Sequence, residues 1–280
     1  MKIGVVDVGG GLRDIYGAGV FDYCMGNGIN FDVCAGVSAG AANVISYIAN
    51  QPGRNYRFYT EYAFRSEYMG LSTLLKTGNF IGFEYIYGTL SNSDGEDPLD
   101  YEALVKSDKK AIYVATDAET GAPTYFTNDD ISKDDYRVVM ASGCLPLINH
   151  PVEVDGHGYF DGGISDPIPY KKVFDEGCGK VVVILTRPSD YYRDNKDDET
   201  SAMLVEKLHP EVGKKIIRRA DLYNFQMDKV KELEEEGKML LLAPKDLAGM
   251  TTLKRDRDAM ERLYSYGIND AERIKDFIEK

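Results

Sequence analysis

Residues 31–43 read FDVCAGVSAGAAN and contain the strongest structural signal of the chain. The apolar run at the start of this segment predicts a buried strand, and the alanine-rich run after it predicts a helix. Between them, residues 36–40 match the pattern G-x-S-x-G, which is typical of a nucleophile elbow when it joins a strand to a helix. In such an elbow Gly36 and Gly40 make room for the sharp turn, and Ser38 is the nucleophile. A plain β–α turn with Ser38 as the helix N-cap is the alternative interpretation.

The neighbouring segments repeat this alternation of strand and helix. Apolar runs predict further strands at 3–8, 111–116, 124–127, 181–186 and 239–243, with two short strands within 152–160, and helical spacing predicts helices at 17–27, 39–50, 136–142, 202–208, 211–236 and 257–279. This order predicts a mainly parallel sheet with helical crossovers. Residues 190–201 are charged and predict a linker. We therefore expect one α/β domain over residues 1–280, with a catalytic core at 1–189 and a mostly helical C-terminal extension at 190–280.

Composition narrows the classes of function. Of the 280 residues, 33 are Lys or Arg and 46 are Asp or Glu, which gives a net charge of −13. This charge argues against nucleic acid as the main ligand, because phosphate backbones require a cationic surface. No apolar run approaches the roughly 18 residues of a membrane span. The first apolar run is too short for a signal peptide, and the four cysteines form no C-x-x-C pair. We expect a cytoplasmic protein without a metal or other cofactor.

A second glycine-rich loop, Gly9-Gly10-Gly11-Leu12-Arg13, directly follows the first predicted strand. Backbone N–H groups of such a loop can converge on an oxyanion, and Arg13 can hold the loop by an ion pair. The competing interpretation is a dinucleotide-binding loop, which needs G-x-G-x-x-G. Asp14 stands where that fingerprint has its last glycine, which disfavours nucleotide binding.

No histidine of the chain is an obvious general base for Ser38. The chain has three histidines, and His150, His157 and His209 all lie in predicted turns or beside prolines. Asp161 is a better candidate, because it follows a predicted strand and precedes Gly162 and Gly163. A carboxylate serves as a general base when burial raises its pKa towards neutrality. The simpler interpretation is a turn aspartate; Asp166, in the same loop, is explained well enough by a turn or capping role.

The glycine loop, the elbow and the Asp161-Gly162-Gly163 motif, in this order, resemble the patatin-like phospholipase family. Within it the chain is similar to a bacterial group of uncharacterised predicted esterases, on stretches such as AGVFD at 18–22, ATDAETG at 115–121 and DGGISDPIP at 161–169. The resemblance implies a three-layer α/β/α sandwich and lipid acyl hydrolysis by a Ser–Asp dyad, without histidine or metal. It also implies that Ser38 is the nucleophile, that Asp161 is its partner, and that the loop from Gly9 to Arg13 forms the oxyanion hole.

One departure from the family pattern keeps a second class of function open. The family has glycine after the arginine of the first loop, and this chain has Asp14. A carboxylate beside an oxyanion hole would oppose the charge that builds there, unless Asp14 points away and pairs with Arg13 or a lysine of the tail. The alternative function is therefore a catalytically weak protein that binds acyl lipid or a protein partner.

The substrate is only partly defined by the sequence. It would be an acyl lipid or another ester, met in solution or at a membrane surface. The aromatic-rich segment 56–87 is a candidate lining or cover of an acyl pocket, although helix core with exposed tyrosines explains it too. A basic cluster, Lys214, Lys215, Arg218 and Arg219, is either a lipid-facing patch or one solvated helix face. Head group, acyl length and oligomeric state stay open.

Overall fold

The sheet and helices predicted around the elbow are present in the computed structural model, which describes residues 1–279. The strands are β1 (Lys2–Asp7), β2 (Val33–Val37), β3 (Lys110–Asp117), β4 (Pro123–Phe126), β5 (Val152–Val154), β6 (His157–Asp161), β7 (Cys178–Ile184) and β8 (Met239–Leu242). The helices are α1 (Ile15–Gly26), α2 (Ala39–Ile48), α3 (Arg54–Thr60), α4 (Leu71–Thr77), α5 (Tyr101–Lys106), α6 (Arg137–Ser142), α7 (Tyr170–Asp175), α8 (Lys196–Glu206), α9 (Pro210–Ile217), α10 (Arg219–Glu235), α11 (Arg257–Ala271) and α12 (Arg273–Glu279). A π-helix spans Glu84–Leu90, and a 3₁₀ turn spans Gly11–Asp14.

The strands over residues 1–279 form one eight-stranded sheet in the order β5-β6-β3-β2-β1-β7-β8, with β4 paired to β3. The five strands from β3 to β8 in this order are parallel. Strands β4, β5 and β6 run antiparallel to their neighbours. The predicted mainly parallel sheet is therefore confirmed, and the carboxyl ends of its central strands lie together at one edge.

Alternate residues of the central strands pack into two separate apolar cores. Val5 and Val182 belong to a core shared with α1, α2 and α11, whereas Val6 and Val183 belong to a core shared with α7 and α10. Each fully buried valine of this kind contributes about 1.5–3 kcal/mol through burial of apolar surface. Because helices cover both faces of the sheet, the architecture is the expected three-layer α/β/α sandwich.

The C-terminal segment packs closely on the first half of the chain. Strand β8 extends the sheet beside β7. Helices α1 and α11 approach so closely that a Cβ at Gly267 would lie 2.0 Å from the carbonyl oxygen of Tyr16. The Tyr16 hydroxyl donates to Asp270 and the Tyr264 hydroxyl donates to Asp22, each at 2.7 Å. The description of residues 1–280 as one domain stays a prediction, and residue 280 lies outside the described residues.

The structure corrects several predicted boundaries in the second half of the chain. The predicted linker at 190–201 is wrong from Lys196 onward, where α8 begins. Acidic residues in the first turn of α8 favour the helix, because its N-terminus carries partial positive charge. The single helix predicted at 211–236 is two helices, interrupted at Arg218, where the backbone has φ −100° and ψ 0°. The helix predicted at 257–279 is likewise divided, at Glu272.

Candidate active site

A cavity of about 790 Å³ opens at the carboxyl ends of the parallel strands. Crevices at this edge of a parallel sheet are the usual ligand sites of open α/β folds. Seven of the residues singled out in the sequence line this one cavity, namely Gly9, Gly10, Gly11, Arg13, Ser38, Asp161 and Gly163. The structure therefore brings together side chains and backbone that are more than a hundred residues apart in the chain.

Ser38 occupies a sharp turn between β2 and α2. Its backbone has φ 59° and ψ −127°, a conformation that costs a non-glycine residue about 1–3 kcal/mol. The Ser38 N–H donates to the Ser142 hydroxyl at 2.9 Å, which helps to hold the turn. A Cβ at Gly36 would lie 2.5 Å from the carbonyl oxygen of Gly40, and a Cβ at Gly40 would lie 2.4 Å from that of Asp7. Both glycines are therefore needed for close packing of this turn, and neither lines the cavity.

Asp161 ends β6, and its side chain is buried next to Ser38. Burial raises the pKa of Asp161, while the neighbouring Ser38 side chain and the N–H of Gly163 partly offset that rise. The Gly163 N–H donates to Oδ1 of Asp161 at 2.8 Å. Gly162 is pressed against β3, since a Cβ there would lie 2.2 Å from the carbonyl oxygen of Val114. The loop thus holds a carboxyl with a raised pKa beside a serine hydroxyl.

The glycine loop after β1 adopts a conformation that other residues rarely adopt. Gly9, Gly10 and Gly11 have φ values of 67°, 148° and 59°. The Gly9 N–H donates to Oδ1 of Asp7 at 3.1 Å. The carbonyl of Gly9 accepts the hydroxyl of Thr186, which follows β7. The Leu12 N–H donates to the carbonyl of Thr252 at 2.8 Å, so the C-terminal segment also supports this loop.

Asp14 does not line the cavity and is completely buried behind the glycine loop. Its carboxyl faces Asp7, because a Cβ at Gly17 would lie 2.6 Å from both Oδ1 of Asp14 and Oδ2 of Asp7. Neither Asp14 oxygen accepts a hydrogen bond from an N–H or hydroxyl of the described residues. Burial and the neighbouring Asp7 raise the pKa of Asp14 well above its ordinary value, and burial raises that of Asp7 to about 6. The raised pKa of Asp14 therefore favours its neutral form beside Asp7.

This pair predicts a loss of stability as the pH rises above the ordinary carboxyl pKa of 3.8. Both carboxyl groups have raised pKa values, so their stabilising contribution is complete below the unfolded pKa of 3.8. It declines as the pH rises towards about 6 for Asp7 and falls further where Asp14 ionises. Asp14→Asn replaces one of the two titrating carboxyl groups by a neutral amide. We expect the fall in Tm between pH 5.5 and pH 8.5 to shrink by about 3 °C or more, measured by thermal unfolding.

The matched control for this experiment is Asp108→Asn. Asp108 is exposed, so its variant should follow the wild-type Tm profile across the same pH range. An Asp14→Asn protein whose Tm falls as steeply as that of the wild type would contradict the raised pKa of Asp14.

The histidines take no part in the cavity. None of the three is among its lining residues within 1–279. The ring of His209 packs edge-on against Phe160, with the ring centroids 4.9 Å apart. His150 donates its backbone N–H to Asn79 at 2.7 Å. The interpretation of the histidines as ordinary structural residues agrees with these contacts.

The aromatic-rich segment 56–87 supplies much of the apolar lining, as one of the two interpretations expected. Its contributors include Phe58, Tyr59, Tyr68, Met69, Ile81, Phe83, Ile86 and Tyr87. Leu71 and Leu75 on α4 are instead exposed to solvent. The predicted basic cluster does not form one face, because Lys214 pairs with Glu211 whereas Arg219 turns inward to Asp198.

Four residues that support the site carry no recognisable signal in the sequence. Ser142 holds the elbow, Thr186 and Thr252 hold the glycine loop, and Asn43 donates to Asp7 at 3.0 Å and to the Asp14 carbonyl at 3.0 Å. The four residues lie in separate segments of the chain and reach the site only through the fold. No local pattern of residue types marks such contacts.

The chain belongs to the patatin-like phospholipase family. The family model described as "Patatin-like phospholipase" matches residues 8–174, which include the glycine loop, the elbow and Asp161. A second model, described as "Domain of unknown function (DUF6363)", matches residues 209–280.

Two known proteins are similar to this chain, one in sequence and one in fold. The uncharacterized protein YjjU of Escherichia coli (strain K12) is 34% identical over 196 residues, covering 68% of this chain and 54% of that protein. The chain thus spans about half the length of this curated relative. The crystal structure of VipD from Legionella pneumophila superposes with a TM-score of 0.51 at 15% identity, covering 98% of this chain and 67% of that chain. At this identity the likeness shows a shared fold alone.

Within residues 1–279, no helix has the length and apolarity to cross a membrane. In the same range no group of three or more His, Cys, Asp or Glu side chains is arranged to hold a metal ion.

Proposed function

We propose that this protein is a serine hydrolase that cleaves acyl esters of lipids, with Ser38 as the nucleophile and Asp161 as its base. The observation that supports this most directly is the convergence of Ser38, the buried carboxyl of Asp161 and the glycine loop on one cavity. The raised pKa of Asp161 also supports it, because a general base works best when its pKa is near the working pH.

The proposed reaction has two steps through an acyl-enzyme. In the first, the Ser38 proton moves to Asp161 while Oγ bonds to the ester carbonyl carbon. The ester C–O bond then breaks, and the leaving alcohol takes the proton from Asp161. In the second step, water gives a proton to Asp161 and attacks the acyl-enzyme. The carboxylic acid leaves, and Ser38 recovers its proton.

The groups that would stabilise the oxyanion are the N–H groups of Gly10 and Gly11. The N–H of Gly9 is already engaged by Asp7, so it is not available for the substrate. Nη2 of Arg13 lies 3.1 Å from the position of a Cβ at Gly10, which places positive charge beside the proposed oxyanion hole. The N-terminus of α2, directly after Ser38, adds its partial positive charge.

The alternative, a catalytically weak protein that binds acyl lipid or a protein partner, depends on an Asp14 charge near the oxyanion. Asp14 lies outside the cavity lining, and its raised pKa favours the neutral form. Asp14 therefore gives no support to a loss of activity, and we retain the hydrolase as the proposed function.

Hydrolysis of p-nitrophenyl esters tests this proposal. We expect the full chain to hydrolyse the acetate to octanoate series in the presence of a chelator, with a burst of one p-nitrophenolate per active site if deacylation is slow. A fluorophosphonate probe should modify one serine, identified as Ser38 by peptide mass spectrometry. A folded protein that hydrolyses none of these esters and reacts with no probe would contradict the proposal.

The pH dependence of the rate is a separate prediction. If Asp161 is the base, kcat/KM should fall as the pH is lowered and Asp161 is protonated, at a pH above its ordinary pKa of 3.8. The positive charges of Arg219 and Arg193 lower the pKa of Asp161. Arg193→Gln should therefore move this low-pH fall of kcat/KM to higher pH. Arg218→Gln, on the exposed surface, should leave the pH profile unchanged. A kcat/KM profile that is not shifted in Arg193→Gln would argue against Asp161 as the titrating base.

A further inference from the structure

Three tyrosines bring hydroxyl groups to the part of the cavity that is otherwise lined by apolar side chains. Tyr59, Tyr68 and Tyr87 all line the cavity beside Phe83 and Ile86. Tyr59 is only 6% exposed and Tyr87 only 9%. Within residues 1–279, none of the three hydroxyls has a hydrogen-bond partner. A hydroxyl in such surroundings is stabilised when a molecule in the cavity hydrogen-bonds to it.

The three hydroxyls differ from the other unpaired tyrosine hydroxyls of the described residues in being accessible. Those of Tyr113 and Tyr136 are fully enclosed by protein, and neither residue lines the cavity. The hydroxyls of Tyr59, Tyr68 and Tyr87 are not enclosed in this way, so a ligand in the cavity can reach them. Burial raises the pKa of each, so all three stay neutral and can donate as well as accept.

Arg54 adds a buried positive charge beside these hydroxyls. It lines the cavity and is 3% exposed. Asp97 accepts two hydrogen bonds from Arg57, at 2.7 and 3.0 Å, and Nε of Arg54 remains 3.6 Å from it. The charge of Arg54 partly offsets the rise that burial causes in the pKa of Tyr68 and Tyr87. A cation on this side attracts the hydroxyl oxygens, which favours donation of their protons to an oxygen acceptor in the cavity.

This polar group lies at a distance from the proposed nucleophile. Arg54 donates to the Ser46 hydroxyl at 3.1 Å. Ser46 follows Ser38 along α2, and a rise of about 1.5 Å per residue separates the two by roughly 12 Å along the helix axis. Ala39 and Ala42, between them on α2, line the same cavity. An acyl chain attached at Ser38 can therefore extend along α2 and reach the tyrosine hydroxyls with its far end.

We infer that Tyr59, Tyr68 and Tyr87, with Arg54 beside them, form a polar end of the acyl pocket that selects acyl chains carrying a hydroxyl or keto oxygen far from the ester. This inference rests on the proposed function and specifies its substrate class. An unsubstituted chain would displace water from the three hydroxyls without replacing its hydrogen bonds, which lowers affinity. A chain with an oxygen at that depth would replace them. A site built to hydrogen-bond a substrate hydroxyl discriminates well against the analogue that lacks it.

Calorimetric binding to the full-length Ser38→Ala protein tests this inference without turnover. The probes are methyl octanoate and methyl ω-hydroxyoctanoate at one ionic strength. We expect the hydroxylated ester to bind at least about ten-fold more tightly, the size of a strong hydrogen bond. Adding Tyr68→Phe and Tyr87→Phe together should reverse the preference, because phenylalanine keeps the ring and leaves the ligand hydroxyl unpaired. Adding Tyr56→Phe should keep it, because Tyr56 packs against Tyr264 and does not line the cavity.

Two results would overturn the inference. The first is a Ser38→Ala protein that binds methyl octanoate as tightly as the hydroxylated ester, or binds neither. The second is a preference for the hydroxylated ester that persists in folded protein both with Tyr68→Phe and Tyr87→Phe and with Tyr59→Phe. Failure of the proposed function shows itself separately, because the binding measurement requires no hydrolysis and the p-nitrophenyl esters carry no hydroxyl on the chain.

Discussion

Replacing Ser38 with alanine is expected to lower kcat for p-nitrophenyl butyrate by about 10⁴-fold or more. The variant lacks the oxygen that forms the acyl-enzyme, so neither Asp161 nor the glycine loop has a group to act on. The fold should persist, because the neighbouring packing depends on Gly36 and Gly40 and on the Ser38 N–H, which alanine keeps. Steady-state kinetics and thermal unfolding of the same preparations measure both effects.

Ser38→Gly distinguishes the effect of the missing hydroxyl on activity from the effect of backbone strain on stability. Because Ser38 has φ 59°, glycine should relieve part of the backbone cost and raise Tm by about 2–4 °C while activity is still lost. The exposed Ser265→Ala serves as the control and should retain wild-type kcat. Residual activity above about 10% in Ser38→Ala would exclude this serine as the nucleophile, whatever the stability of the variant.

Asp161→Asn is expected to lower kcat by about 10³-fold, in the range that general bases contribute. The amide keeps the shape of the carboxyl and can still accept the Gly163 N–H through its oxygen, so the loop should be preserved. It cannot take the Ser38 proton at working pH. The variant should therefore lose the chemical step while retaining affinity for substrate, which pre-steady-state kinetics can separate.

Asp166→Asn is the matched control for this variant, with the same substitution in the same loop. Asp166 accepts hydrogen bonds from Tyr125 at 2.8 Å and Gln226 at 2.6 Å, and it does not line the cavity. We expect a change in kcat of less than about 3-fold, since no reacting group contacts it. Equal losses in Asp161→Asn and Asp166→Asn would point to disruption of the loop, and the assignment of Asp161 as base would then fail.

The sequence predicted those parts of the fold that depend on local patterns. The valine-rich runs predicted β2 and β7 because a strand buried on both faces must be apolar throughout. The strand–helix alternation predicted the parallel sheet. Helices α3, α4 and α5 were not predicted, because they are short and their apolar faces become evident only against their neighbours. The start of α8 was misplaced because its charged first turn looks like a linker.

The sequence predicted those parts of the candidate site in which glycines indicate an unusual backbone conformation or a close contact. The loop at Gly9–Gly11 and the elbow at Gly36 and Gly40 require conformations or close contacts that only glycine accommodates, so they leave a visible pattern. Asp161 was found because glycines follow it. The roles proposed for these residues remain predictions until the variants are measured.

By itself, the sequence determined the class of fold, the family and the candidate pair Ser38 and Asp161. Only the tertiary structure decided that Asp14 faces Asp7 behind the loop, that Thr252 supports the loop, and that Arg187 and Arg193 join Arg13 in one cavity. The physical reason is the sequence separation over which each kind of interaction acts. Strand, helix and turn preferences act between residues a few positions apart, whereas the direction of a charged side chain depends on burial and on partners far along the chain.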